Sequence, residues 1–185
     1  MSTIKTLAAL SLATLALQAD ASVIQIQTGY STAGAQASAN AYRDVVNAAI
    51  QAQAQNKTPG YGTAQVATYN NLSNASLFGA NSNFAWKATI DFGVTSNQAG
   101  LWSFRSGVDF DRGGAMFLDG VALTFTSTNM WWGGNYNSPS QFLEKSLNLS
   151  AGKHTLTIFG LEGCCDGGEQ AQFRIGSGQY TTFST

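Results

Sequence analysis

Charge is scarce in this chain. Of its 185 residues 10% are charged, with 9 Lys and Arg against 10 Asp and Glu and a formal net charge of -1. That excludes a nucleic-acid binder built on a basic surface and a tail held open by its own charge. Cysteine is scarcer still: two residues, adjacent at Cys164-Cys165, with a single His at 154. Neither a scaffold knitted by several disulfides nor a cysteine-rich zinc centre can be built from that stock. There are only two Pro. No apolar run approaches the roughly 20 residues of a membrane span, and no period of about 20–50 residues repeats as it would in a solenoid. What is abundant is Gly, with 20 residues, and uncharged polar side chains. An uncharged polar exterior is common among secreted β-proteins.

The amino-terminal stretch reads as an export signal. Met1–Lys5 carries one positive charge, Thr6–Leu17 is small and apolar, and Ala19-Asp20-Ala21 fits a cleavage site. Cutting there leaves a single domain, residues 22–185, expected to be secreted and soluble. Thr185 follows neither a hydrophobic tail nor a basic cluster, so no carboxy-terminal anchor is expected.

Within that domain Val23–Ile26 begins a strand-like run. Residues 35–56 then change to helical periodicity. Tyr42, Val45, Val46, Ala49 and Ile50 form one apolar stripe, Ser31 or Thr32 is placed to cap the start, and Thr58-Pro59-Gly60 stops the helix. From Gly62 onward short runs rich in Val, Thr, Phe, Tyr and Trp alternate with Gly, Asn and Ser turns. Ala85–Phe92, Trp102–Arg105, Ala115–Leu118, Leu123–Phe125, His154–Phe159 and Gln172–Ile175 are the expected strands, and Asp119-Gly120 is the expected tight hairpin turn. The pattern predicts a mainly β fold: a jelly-roll-like antiparallel β-sandwich with one amino-terminal amphipathic helix.

Three loops carry unusual chemistry. In the first, Asp109 and Asp111 stand two residues apart before Gly113-Gly114. Carboxylates and carbonyls in such a loop can gather the oxygens that calcium requires. The alternative is a β-turn whose Asp side chains bond their own backbone, with Asp109 paired to Arg105 or Arg112. The second loop holds Cys164-Cys165, flanked by Glu162, Asp166 and Glu169. In an oxidising compartment the cysteines can bridge each other, bridge another chain, or remain thiols. A bridge between neighbours closes a very small ring, because adjacent Cα atoms lie about 3.8 Å apart across a trans peptide and ordinary disulfides span about 4.4–6.8 Å. Such a bridge would staple a turn and could offer a ligand a stiff apolar platform. Glu162 and Asp166 join Asp109 and Asp111 as the candidate metal ligands. The third loop contains Trp131, Trp132, Asn135 and Tyr136. Aromatic faces take the C–H groups of a sugar ring and amides take its hydroxyls; the alternative is that both Trp residues cap the end of the core. Enzyme signals are weak. His154 is the only His and no G-x-S-x-G elbow is present. A glycoside hydrolase using Asp109 or Glu162 is the remaining catalytic reading.

On these residues the chain resembles the CCXG family of exported bacterial proteins, many of which carry a PEP-CTERM sorting tail. The matching segments are Thr58–Gly62, Trp102–Phe110, Gly113-Gly114 with Leu118–Gly120, Trp131–Asn135 and Cys164–Gly167. That resemblance implies export and supplies no catalytic residues; the PEP-CTERM tail itself is absent from the sequence. A more distant likeness is to the protective-antigen-type and GLEYA sugar-binding β-sandwiches, through Asp111, Gly113, Met116–Gly120 and Gly152–Ile158. Where the calcium-binding members of that group have adjacent Asp residues, this chain has Asp111-Arg112. The expectation is a non-catalytic, secreted binding or adhesion module for an extracellular glycan or matrix polymer, assisted by calcium. The alternative is a structural protein of a biofilm matrix or surface layer that self-associates through polar β-edges and the Gln/Ala-rich helix.

Overall fold

The computed structural model describes residues 21–185; the expected export signal lies outside them except for Ala21. Twelve strands and two α-helices follow in the order β1 (Ala21–Tyr30), α1 (Ala39–Asn56), β2 (Thr63–Gln65), α2 (Asn74–Phe78), β3 (Ser82–Val94), β4 (Gly100–Gly107), β5 (Asp109–Phe110), β6 (Gly114–Leu118), β7 (Val121–Thr126), β8 (Met130–Trp131), β9 (Phe142–Leu149), β10 (Gly152–Cys164), β11 (Gln170–Ile175) and β12 (Thr181–Thr182). One 3₁₀ turn, Pro139–Gln141, precedes β9. A six-stranded sheet in the order β2-β1-β3-β10-β6-β7 faces a four-stranded sheet in the order β12-β11-β4-β9, and β5 and β8 form a separate two-stranded ribbon. The strand pairings within the sheets are antiparallel. This is the sandwich that the sequence predicts.

Alternation explains the central strand. Along β3, Trp86, Ala88, Ile90 and Phe92 are buried while Lys87, Thr89 and Asp91 are half-buried. The buried set joins Ile24, Ile26, Trp102, Phe104, Ile158 and Phe183 between the sheets. The other face of the large sheet is covered too. There Tyr42 and Val46 of α1 pack on Ala85, Ala115, Phe117, Phe159 and Leu161. Because both faces are covered, residues 156 and 158–163 of β10 are buried with little alternation.

The helix starts four residues later than its sequence pattern predicts. Its cap is Ser38, whose side chain accepts from the Ala41 N–H, and not Ser31 or Thr32. Ser31 instead donates its backbone N–H to the Asn83 carbonyl, extending the β1–β3 pairing. The short α2 is not foreseen by the sequence reading. Its capping box pairs Ser73 with Ser76, which lacks the usual Glu or Gln at the third helical position. The β9 strand is also unforeseen. It forms one edge of the small sheet, buries only Leu143 and Leu149, and carries Glu144 and Lys145 in the open. Charged edges of this kind block pairing with other chains. At Asp119-Gly120 both residues have positive φ, as the two-residue hairpin requires. Among the described residues no helix is long and apolar enough to cross a membrane.

Candidate functional site

The three unusual loops meet at one end of the sandwich, and the β5–β8 ribbon is where they join. Asp109 is the register partner of Trp131, and Phe110 that of Met130. Directly opposed residues of an antiparallel pair share a face, with Cβ atoms about 4.5–5.5 Å apart. Phe110 and Met130 therefore point into the core, where both are buried, and Asp109 and Trp131 share the other face. The disulfide loop closes over that face. Gly167 lies so close to the Asp109 carboxylate that any Cβ there would overlap it.

The cysteines are bonded to each other, and among the described residues no free cysteine remains. Both are exposed. Their loop is tied down on each side. The Asp166 backbone N–H donates to the Asn81 carbonyl (2.9 Å), and the Asp166 carboxylate accepts from the Ala75 N–H (2.6 Å). The Gly163 N–H donates to Asp111 (2.6 Å).

Five carboxylates gather around this loop. Glu162, 1% exposed, accepts from the Asp111 N–H at 2.7 Å. Glu169, 0% exposed, accepts from the Asp109 N–H at 3.1 Å. Asp109 is itself buried, and Asp111 and Asp166 are half-buried. Burial raises the Asp109 carboxyl to about 6, with the charges of Asp166 and Asp111 adding to it. Glu162 is raised to about 7, mainly by burial; the N–H groups that bond it oppose the rise and the charges of Asp111 and Asp109 add to it. Burial also holds Glu169 well above the usual carboxylate range and lifts Asp166. One buried oxygen on each of Glu162, Asp166 and Glu169 has no hydrogen-bond partner.

Positive charge is nearly absent from the cluster. Arg112 pairs with Asp111 at 3.7 Å and donates to the Ala33 carbonyl at 3.2 Å. The pairing of Asp109 with Arg105 or Arg112 weighed on the sequence is not what forms. Arg105 instead donates twice to Gln172 (2.8 and 2.6 Å) and lies between the rings of Tyr136 and Tyr180, 3.7 Å from each. The four candidate metal ligands Asp109, Asp111, Glu162 and Asp166 are thus brought into one neighbourhood. Among the described residues, however, no group of three Asp, Glu, His or Cys side chains converges as a metal site. The orphaned oxygens fit a bound cation, and the lack of a three-way convergence speaks against a fully preformed chelate.

The aromatic loop divides into anchors and a platform. Trp132 is 6% exposed and packs against Gly107, where any side chain would overlap its ring. Tyr136 is half-buried, packs against Trp132 with the two rings tilted by 49°, stacks on Arg105, and its hydroxyl accepts from the Gly107 N–H at 3.3 Å. With its two ends pinned, the loop presents Trp131, 70% exposed, and Asn135 on the surface. The Trp131 N–H donates to the Gln141 side chain. Trp131, Gly133, Asn135, Ser138 and Gln141 line a depression of about 430 Å³. The sequence reading missed Gln141, and also Arg105 and Tyr180 as props of the loop; nothing local to those residues marks them.

His154, considered for catalysis, makes a structural contact. Its Nδ1 lies 2.7 Å from Asp119 and its Nε2 lies 3.0 Å from the Ser150 carbonyl, so both ring nitrogens are engaged and no serine hydroxyl is among their partners.

No family model matches the sequence, and no curated protein matches it. Solved structures do match its fold. A PA14 sugar-binding domain from an RTX adhesin superposes with a TM-score of 0.53 at 17% identity, covering 87% of this chain and 94% of that one. The PA14 domain of the antifreeze protein MpAFP gives 0.52 at 12% identity, with 87% and 85% covered. A subtype-switched epithelial adhesin A domain from Candida glabrata, solved with β-lactose, gives 0.51 at 10% identity, with 88% of each chain covered. The chain shares the fold of these three domains.

Proposed function

We propose that this protein is an extracellular, non-catalytic carbohydrate-binding module used in adhesion, and that its ligand lies on Trp131. One observation carries the reading. An indole face, 70% exposed, stands among the amides of Asn135 and Gln141 in a depression of about 430 Å³. An exposed indole face suits the C–H face of a sugar ring, and the flanking amides suit its hydroxyls. Burial of Trp132 beneath the loop pre-organises the platform, so little ordering entropy is lost on binding. The shared fold with a PA14 sugar-binding domain supports the same assignment. The signal-like segment at residues 1–21 supports export.

Calcium belongs to this reading as a counter-ion of the carboxylate cluster when the bound glycan carries no positive charge of its own. Asp109, Asp111, Glu162 and Asp166 would hold it, and it would supply a partner for the unpartnered oxygens of Glu162 and Asp166. A glycan array probed with calcium and with EDTA tests the whole reading. Binding that Trp131→Ala abolishes, without a change in melting temperature, is the expected result. No binding in either condition refutes it.

A further inference from the structure

The carboxylate cluster needs positive charge, and the candidate glycan platform is built against it. Asp109, Asp111, Glu162, Asp166 and Glu169 have a single ion pair among them, from Arg112 to Asp111 at 3.7 Å. Glu162 and Glu169 are 1% and 0% exposed, and each carries an oxygen with no donor. Asp111 and Asp166 are the half-exposed members that a ligand reaches first. Asp109 shares a ribbon face with Trp131, and an indole face itself attracts cations.

No basic side chain lines the depression formed by Trp131, Gly133, Asn135, Ser138 and Gln141. The neighbouring Arg105 is committed to Gln172 and to two tyrosine rings. The depression thus offers no cationic side chain to a carboxylate or a sulfate on a sugar. From this juxtaposition we propose that the ligand brings its own cation: a glycan of hexosamines with free, protonated amino groups. A ring would lie on Trp131 with an ammonium turned toward Asp109, Asp111 and Asp166. The inference rests on the glycan reading above and narrows it. N-acetylation removes the charge, and a uronic acid replaces it with repulsion. An ammonium offers three donors, and a desolvated carboxylate has a strong need of them.

The test compares two β-1,4-linked glucosamine tetramers, one fully N-acetylated and one with all amines free. Binding is measured by calorimetry in 0.15 M salt with EDTA, on the wild type and on Trp131→Ala, Asp111→Asn and Asp166→Asn. The expected result is at least tenfold tighter binding of the free-amine tetramer. That preference falls toward unity in the two Asn variants, and both tetramers are lost in Trp131→Ala. Added calcium weakens the free-amine tetramer by competing for the cluster. Equal or weaker binding of the free-amine form overturns the inference, as does a preference that survives both Asn variants. If neither tetramer binds while the array finds a neutral or acidic glycan, the adhesion reading stands and this inference falls. If no glycan binds at all, both fall. Because each Asn variant keeps the side-chain shape, a melting temperature that does not fall separates loss of charge from loss of fold.

Discussion

The buried acids make the stability of this protein run against the usual direction with pH. Glu162 is raised from 4.5 to about 7, chiefly because burial penalises its charged form. A carboxyl whose pKa is raised on folding binds more protons in the folded state between those two values. Its stabilising contribution is therefore complete below pH 4.5 and is lost as pH climbs through about 7. A rise from 4.5 to about 7, at about 1.4 kcal/mol per pH unit, is worth about 3 kcal/mol for a group this buried. For a domain of this size each 1 kcal/mol moves the melting temperature by about 2–4 °C, so Glu162 alone accounts for about 6–12 °C. Asp109, raised to about 6, and Asp166 and Glu169 act with the same sign. They share mutual repulsion with Glu162, so the contributions do not simply add. Calorimetric melting in EDTA at pH 5 and at pH 8 is the assay, and the higher melting temperature is expected at pH 5. Glu162→Gln mimics the protonated form, and with Asp109→Asn it should reduce the slope by stabilising the protein at pH 8, leaving the part that Glu169 and Asp166 carry. A melting temperature that rises from pH 5 to pH 8, or a slope that both variants leave intact, refutes the reasoning.

Other perturbations separate the parts of the site. Trp132→Ala should cost about 3–5 kcal/mol in denaturant unfolding, as large buried aromatics do, whereas Trp131→Ala should stay within about 0.5 kcal/mol. Gly107→Ala drives a methyl into the Trp132 ring and should weaken glycan binding by displacing the loop; an unchanged dissociation constant would contradict that. Asn74 is fully buried, donating to the Gly60 and Ala80 carbonyls and accepting from Thr28. Of the four N-x-S/T sequons, at Asn56, Asn71, Asn74 and Asn148, glycopeptide mass spectrometry of protein made in a glycosylating host should therefore find Asn74 bare and modification confined to the other three. Intact mass should show no alkylation before reduction and two alkylations after it, with no dimer released; a mass halved by reduction would favour the matrix reading.

The sequence foretells this fold best where one physical rule acts alone. The alternation of Trp86, Ala88 and Ile90 survives in β3 because its two faces differ in burial. The stripe of Tyr42 and Val46 is the stripe that packs. Strand β9 hides because its Glu and Lys serve an edge and bury almost nothing. At the site each loop is legible by composition, but their union is not. It depends on Asp109 pairing with Trp131 across 22 residues of chain, and no local pattern encodes that register. Burial then separates residues that composition treats alike, leaving Trp131 in water and Trp132 beneath it. Glu169, one of three acids flanking the cysteines, proves the most deeply buried of them for the same reason.

The register of the large sheet also has a mechanical meaning. Ala21 pairs with Phe92, which pairs with His154, and the Ala21 N–H bonds the Ser184 carbonyl at 2.9 Å. From His154 to Glu162 along β10 is eight residues, about 27 Å at strand rise. The two ends of the described chain thus lie side by side, a strand's length from the loops. A load applied between Ala21 and Ser184 passes across that one corner and leaves the loop end slack. A load entering at the far end, where β10 carries the cysteines, would instead run lengthwise down β3 and β10, where many backbone hydrogen bonds share it in shear.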